Sequence, residues 1–382
     1  MPENKLTKTV KYSTFLKDVL ISSLGAYGGP EAHFGVFTDQ LVVKKKYLSE
    51  FELVELMALT TLLPGPSSTQ SIIAIGYKIG GPWLGFLTML VWGLPGILLM
   101  TLFSFLGILA FDSNSLFRYI GPMAVGFIFV AAYRLGHKII QDNLTLSLFL
   151  LGAISTYFFK QAWVFPVVML VGGIASIKFS KEKNLWNRTE IKPPWLYLSL
   201  FMFFAVLGII INLTSNNLIV NLFANFYRYG YLVIGGGQVV IPMMFSELVE
   251  TNNYLTAAEF LTGYGLVQGI PGPMFSFSAY AGGIAASGGS IFYHILGALI
   301  SALGLFLPGF LLIYFAYPIW ESLKKIKGIK IALKGVSAVA AGLILASGIT
   351  LLQTNDLTLI NLFVTLGTIV LLMTKKIPAP LI

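Results

Sequence analysis

A chain of 382 residues with 56% hydrophobic and only 11% charged side chains excludes an ordinary soluble domain, in which about a quarter of residues are charged. The formal charge of +9 reads as lysine-rich loops kept in the cytoplasm rather than as a nucleic-acid-binding face. The absence of cysteine excludes disulfides, thiolate metal sites and a cysteine nucleophile, and the expected class is an all-α polytopic membrane protein without cofactor or metal.

In chain order, residues 1–17 are polar and basic, with no signal-peptide pattern, and are expected as a cytoplasmic N-terminal segment. Residues 18–43, carrying "GAYGGPEAHFGVF", and 48–78, carrying "LLPGPSSTQ", are each bounded by lysines. Each is expected to enter the membrane and return as a hairpin of two short helices meeting at a broken tip. The rival reading makes each hairpin arm a full span. Spans at 82–111, 119–137, 144–159 and 162–177 complete a first half, residues 18–177. A basic linker (178–194) and a connecting span (195–213) lead to a second half, 214–382.

The halves are copies. Adding 207 carries Tyr47 to Tyr254, Ser49 to Thr256, Glu52 to Glu259, and Pro64, Gly65 and Pro66 to Pro271, Gly272 and Pro273. It also carries "GGPE" (28–31) onto "GGGQ" (235–238), and "LPG" recurs at 94–96 and 307–309. In the first copy Lys44, Lys45 and Lys46 follow the "GGP" segment; at that place the second has Glu247, Glu250 and "TNN". The lysine excess instead follows the second "LPG", in "ESLKKIKGIK" (321–330). Because positive loops stay in the cytoplasm, the copies are expected to be inverted, with both termini inside a cell membrane.

A backbone broken inside hydrocarbon persists only where it is buried in protein or lines a wet cavity. A helix starting just after the break offers free N–H groups and the positive end of its dipole, an anion site. Ser67, Ser68, Thr69 and Gln70 add donors in the first copy; Gln268, Phe275, Ser276, Ser278 and Tyr280 flank the second break. Gly28 and Gly29, with Gly235, Gly236 and Gly237, form a second pair of tips. The bland alternative is that glycine and proline merely allow close packing or kinks. Glu31, His33 and Glu55 are candidates for proton coupling. Glu52 and Glu259 fit a capping box with Ser49 and Thr256 better than a proton site. Arg134, His137, Lys138 and Lys78 read as snorkelling side chains at helix ends.

These residues resemble the chromate ion transporter family in its long, two-domain form. "GAYGGPEAHFGVF" with "LPGPSSTQ" is similar to that family's N-terminal pair of motifs, and "GGGQVVIP" with "QGIPGPMFSFSAYAGG" to its C-terminal pair. The resemblance implies a carrier exporting chromate, a tetrahedral dianion, with a binding site at Gly28, Gly29, Pro30, His33, Pro64, Gly65, Pro66, Ser67, Thr69 and Gln70. In the second copy it implies Gly235, Gly236, Gly237, Gln268, Pro271, Gly272, Pro273 and Tyr280. Two departures are Glu31, where a small residue is expected, and Met274 with the apolar lead-in "GYGLVQGI", which makes the second site less polar. A sulfate or other oxyanion carrier and an anion channel remain alternatives, as does a homodimer to a monomer. An intramembrane hydrolase is disfavoured: neither HExxH nor GxSG occurs, and His33, His137 and His294 are scattered.

Overall fold

The computed structural model describes residues 10–27, 29–110, 119–159, 164–182, 192–233, 240–323, 326–354 and 358–374. They form helices and connecting turns, without strands. The first half contains α1 (Tyr12–Leu24), α2 (Pro30–Phe37) running into a π-helical segment at Thr38–Lys44, α3 (Glu50–Leu62), α4 (Ser67–Ala110), α5 (Ile120–Ile139), α6 (Asn143–Phe158) and α7 (Val164–Lys178). After α8 (Trp195–Thr214) come α9 (Leu218–Leu232), α10 (Ile241–Phe245) with its π-helical extension Ser246–Thr251, and α11 (Ala257–Gly269). A 3-10 turn (Met274–Ser276) opens α12 (Phe277–Ala285), followed by α13 (Ile291–Ala316), α14 (Trp320–Leu323), α15 (Lys327–Thr354) and α16 (Leu359–Thr374).

Among the described residues, five helices are long and apolar enough to cross a membrane: Ser67–Leu106, Ile120–His137, Trp195–Thr214, Ile291–Ile319 and Lys327–Gln353. Leu94, Leu98, Leu102 and Leu106 recur every four residues on α4 and are all exposed. Trp92, Met100 and Ser104 on the same helix are fully buried. One face is therefore built for lipid and the other for protein. On α8, Gly208 is the buried residue, so this connecting span lies outermost. The chain is thus an all-α polytopic membrane protein.

The sequence offset of 207 reappears in the backbone. Lys46 (φ 54°) and Asn253 (φ 51°) both hold the left-handed conformation, as do Gly65 (127°) and Gly272 (110°). Tyr47 N–H donates to Leu41 O and Tyr254 N–H to Leu248 O, each at 2.8 Å. Both capping boxes form: Ser49 N–H and Thr256 N–H donate to Glu52 and Glu259 at 2.7 Å, and the hydroxyls accept in return at 3.2 Å. The helix-start reading of Glu52 and Glu259 is therefore observed.

The hairpin arms meet where the loops require. Lys78 Nζ lies 2.6 Å from Glu52 Oε1, tying the far ends of α3 and the first part of α4. Lys78 is thus a hairpin clasp rather than a snorkelling cation. Asp18 on α1 accepts from Tyr47 OH at 2.6 Å and pairs with Lys45 at 2.9 Å, closing the first hairpin the same way. Arg134 donates to the Leu372 carbonyl at 2.9 Å, capping the end of α16, so it too is engaged in protein. Glu247, expected as a loop charge, is instead 6% exposed and packed against α9. The π-helical winding carries it inward.

α4 is two helices in one. Gly80 and Gly81 leave helical geometry, with Gly81 at φ 76°, and Pro82 opens the second part without needing an N–H partner. Tyr12 OH bonds the Gly80 carbonyl at 3.0 Å, and Tyr314 OH bonds the Pro82 carbonyl. The hairpin thereby runs directly into the span that follows it.

Candidate functional site

Each proline-glycine-proline break ends one helix and starts another. Leu63 leaves α3 in an extended conformation (ψ 144°), and Ile270 leaves α11 likewise (ψ 155°). The first intrahelical bond of α4 is Gln70 N–H to Pro66 O. The N–H groups of Ser67, Ser68 and Thr69 lie ahead of it, at the positive end of the helix dipole.

The two proline-glycine-proline tips are held by exchange between the halves. Gly65 N–H donates to Val233 O at 2.8 Å, and Gly272 N–H donates to Ala26 O at 2.9 Å. Adding 207 to Gly65 and Ala26 yields Gly272 and Val233, so the two bonds are one bond seen twice. Each "PGP" tip also seats on the other half's "LPG" helix. A Cβ built on Gly65 would stand 2.8 Å from Gly309 Cα, and one on Gly96 would stand 2.5 Å from Ser276 Oγ. Gln70 Nε2 ties the same contact, donating to Pro64 O at 2.8 Å and Gly309 O at 3.1 Å. Only residues without a side chain permit this approach.

Within the first half the two tips join through His33. Its Nδ1 lies 3.0 Å from Ser68 Oγ, and its ring packs edge-on against Trp92 with centroids 5.4 Å apart. Trp92 Nε1 donates to Thr69 Oγ1 at 3.3 Å, and Trp92 O accepts from Ser23 at 2.7 Å. Gly96, about one helical turn further, touches the second tip at Ser276 and Pro271 O. A single turn of α4 therefore spans from His33 to the opposite half.

Polar atoms on the residues at or flanking these tips are buried without a hydrogen-bond partner: His33 Nε2, Gln70 Oε1, Ser276 Oγ and, near the end of α11, Gln268 Nε2. All four residues are at most 3% exposed. Leaving such groups unpaired costs about 1–3 kcal/mol each, and functional sites are where such a cost is tolerated. Three of the four can donate toward an anion; Gln70 Oε1 is an acceptor.

Other expected site residues stand apart. Tyr280 packs over Gly263 further down the hairpin, toward Glu259, with its hydroxyl unpartnered. Ser278 donates to Phe275 O at 2.7 Å, and Phe275 is part of the apolar core. Glu55 lies near Tyr317 with Glu52, at the clasped end. Gly29 holds φ 91° at its tip. Gly28, Gly235, Gly236 and Gly237 fall outside the described residues, as do the side chains of Pro30 and Glu31. The "GYGLVQGI" lead-in is more polar than expected, because Tyr264 and Gln268 both bring unpartnered buried groups into it. Tyr264 went unread in the sequence: one tyrosine in an apolar run carries no periodic signal. Arg228, the one charged residue on α9, did signal an intramembrane charge and was also missed, as was Asp18, which follows Lys17 on α1.

The sequence has known relatives. A family profile described as "Chromate transporter" matches residues 14–177 and again 220–382. A "Probable chromate transport protein" of Synechococcus elongatus is 25% identical over 389 residues, covering 100% of this chain and 94% of that protein. A "Chromate transport protein" of Pseudomonas aeruginosa is 26% identical, covering 90% of this chain and 80% of that one. One of Cupriavidus metallidurans is 25% identical, covering 100% and 91%. No solved structure matches the chain. With both halves matched separately and relatives aligned along most of their length, the chain belongs to the chromate transporter family.

Proposed function

We propose that this protein is a secondary carrier that moves chromate, a tetrahedral dianion, out across the plasma membrane. The halves 18–177 and 214–382 form the two sides of the carrier, joined by the linker 178–194 and the span 195–213. The observation that carries the reading is that both proline-glycine-proline tips bond across to the opposite half, Gly65 to Val233 and Gly272 to Ala26, beside unpartnered buried donors. Helix starts, the His33 imidazole, the Gln268 amide and the Ser276 hydroxyl offer neutral donors to an oxyanion without placing a fixed cation on it. The lysine pattern supports inversion of the halves and cytoplasmic termini. Rocking of one half against the other about the exchanged Gly65 and Gly272 contacts would expose the site alternately.

The relatives' names favour chromate, and a sulfate carrier uses the same chemistry, so the test pits the two anions together. Labelled chromate is offered to inside-out vesicles containing the protein, with and without excess sulfate. Saturable uptake, abolished by Pro64→Ala or Pro66→Ala in protein that still reaches the membrane, is the expected result. Linear, non-saturating flux would indicate a channel. No uptake under either a membrane potential or a pH gradient would remove chromate export.

A further inference from the structure

Among the described residues, each half carries one buried acid bound to a tyrosine hydroxyl and a cation. In the first half Asp18, 4% exposed, is satisfied on both oxygens: Oδ2 accepts from Tyr47 at 2.6 Å and Oδ1 pairs with Lys45 at 2.9 Å. In the second half Glu247 Oε2 accepts from Tyr229 OH at 2.6 Å and from Arg228 Nη2. Arg228 Nη2 also reaches Asn225 Oδ1 at 3.3 Å. Here, however, Glu247 Oε1 and Arg228 Nε are buried with no partner.

The difference is one of position and completeness. The first cluster closes a hairpin near its lysine-rich mouth, where Lys45 is 43% exposed. The second lies within the hairpin: Arg228 is just over one helical turn before Val233, whose carbonyl holds the Gly65 tip. Glu247 sits in a π-helical turn, a geometry frequent at functional sites. The Arg228 side chain is 33% exposed and that of Glu247 7%. A desolvated ion pair contributes little to stability unless its remaining hydrogen-bonding groups are satisfied, and this partly buried one leaves two open.

The geometry points to Glu247 as the binding site of a coupling proton, with Arg228 as its charge partner. This rests on the carrier reading above. A proton added to Oε1 neutralises the carboxylate and leaves the Arg228 charge uncompensated, one turn from the junction of the tips. That positive charge favours a dianion there, and the dianion in turn favours the proton, because linkage is reciprocal. Proton and anion therefore cross together. The other groups facing the pair are the phenols of Tyr229 and Tyr231. Glu250, on the same segment, is exposed, and α15, which packs on α10, has no charged residue after Lys334.

The experiment uses full-length protein in liposomes with the membrane potential clamped. Both pH values are kept alkaline enough that chromate stays a dianion, with the outside one unit more acid. Wild type should accumulate labelled chromate above equilibrium by up to about tenfold, the ratio set by one pH unit for one proton. Glu247→Gln should still exchange labelled for unlabelled chromate but reach equilibrium without overshoot. Asp18→Asn, which opens the complete cluster, should keep the overshoot. Should Glu247→Gln fail to fold by leaving Arg228 unpaired, the double variant Arg228→Gln with Glu247→Gln removes both charges and should likewise lose the overshoot. Overshoot in either Glu247 variant, its absence in wild type that still exchanges, or equal loss in Asp18→Asn would overturn the proposal. Absence of exchange in wild type would instead overturn the carrier reading beneath it.

Discussion

The two "PGP" hairpins share a backbone and differ in what their side chains do. Around the first, hydroxyls and rings are paired with one another: His33 with Ser68, Thr69 with Trp92, Thr60 with Ser71 at 2.8 Å. Around the second, Tyr264, Gln268, Ser276 and Tyr280 all keep a buried polar atom without a partner. Aromatic packing holds that hairpin instead, with Phe260, Tyr264 and Tyr280 set around Phe277 at centroid distances of 5.0, 6.2 and 6.3 Å. A duplicated fold can thus keep its main-chain exchange in both copies while one copy pairs most of its hydroxyls, leaving His33 Nε2 and Gln70 Oε1 open, and the other leaves four polar side chains with an unpartnered atom.

The strongest way to break this comparison is at the glycines both hairpins share. Gly65→Ala must hold φ 127° and push against Gly309 Cα at 2.8 Å, whereas Gly272→Ala at φ 110° meets Gly96 at 3.3 Å. Transport should fall by roughly 100-fold or more in Gly65→Ala and by less in Gly272→Ala, consistent with strain of about 1–3 kcal/mol plus a backbone clash. Uptake in vesicles normalised to folded protein measures it; equal effects would show that only the conformation matters.

A sharper test sets donors of the two halves against each other. Gln268→Met removes an unengaged donor with little change of shape, and the KM for chromate should rise about tenfold if that donor binds the anion. Thr69→Val removes a hydroxyl already accepting from Trp92 and should shift KM by no more than about threefold. The reverse order would place the anion on the first hairpin.

A smaller effect is expected at the clasp. The second copy has Ala285 where the first has Lys78, so Lys78→Met should make the first hairpin like the second. The pair is about one-third exposed on both sides, so the loss should be at most about 1 kcal/mol and should shrink in high salt. Thermal unfolding in detergent at two salt concentrations is the measurement.

The smallest concerns the starts of α6 and α16. Asp142 caps α6, accepting from Thr145 N–H at 2.8 Å, while Thr358 Oγ1 accepts from Asn361 N–H at 3.2 Å at the start of α16. The Thr145 N–H, then the Lys334 ammonium, hold the Asp142 carboxyl down at about 2 from an ordinary 3.8. The cap therefore contributes fully above pH 3.8 and is lost as pH falls through about 2. Wild type should be slightly more stable than Asp142→Asn at neutral pH, and the gap should close on acidification. A Thr358→Asn variant should show no such pH dependence.

The breaks were legible because proline, glycine and proline cannot continue a helix and because the pattern recurs at one offset. The capping boxes were legible for the same kind of local reason, serine or threonine followed three residues later by glutamate. What local pattern could not carry was the exchange between halves. Nothing in "LLPGPSSTQ" says that Gly65 will bond Val233 rather than its own copy's Ala26. Glu247 misled because Glu250 and "TNN" beside it read as a loop, while a π-helical turn rotates it inward. Arg228 stands in the apolar run "NLFANFYRYGYLV" and was the visible clue that a buried acid had to be near.

The exchanged bonds also set an order on biosynthesis. The Gly65 N–H has no partner until Val233 has been made, about 170 residues later, which at 5–20 residues per second is roughly 10–30 s. An unpaired N–H in hydrocarbon costs several kcal/mol, so the first hairpin cannot settle at membrane depth as it leaves the ribosome. It must wait in contact with water or with the insertion machinery. Final seating of the first half is therefore a post-insertion event, triggered by arrival of the second.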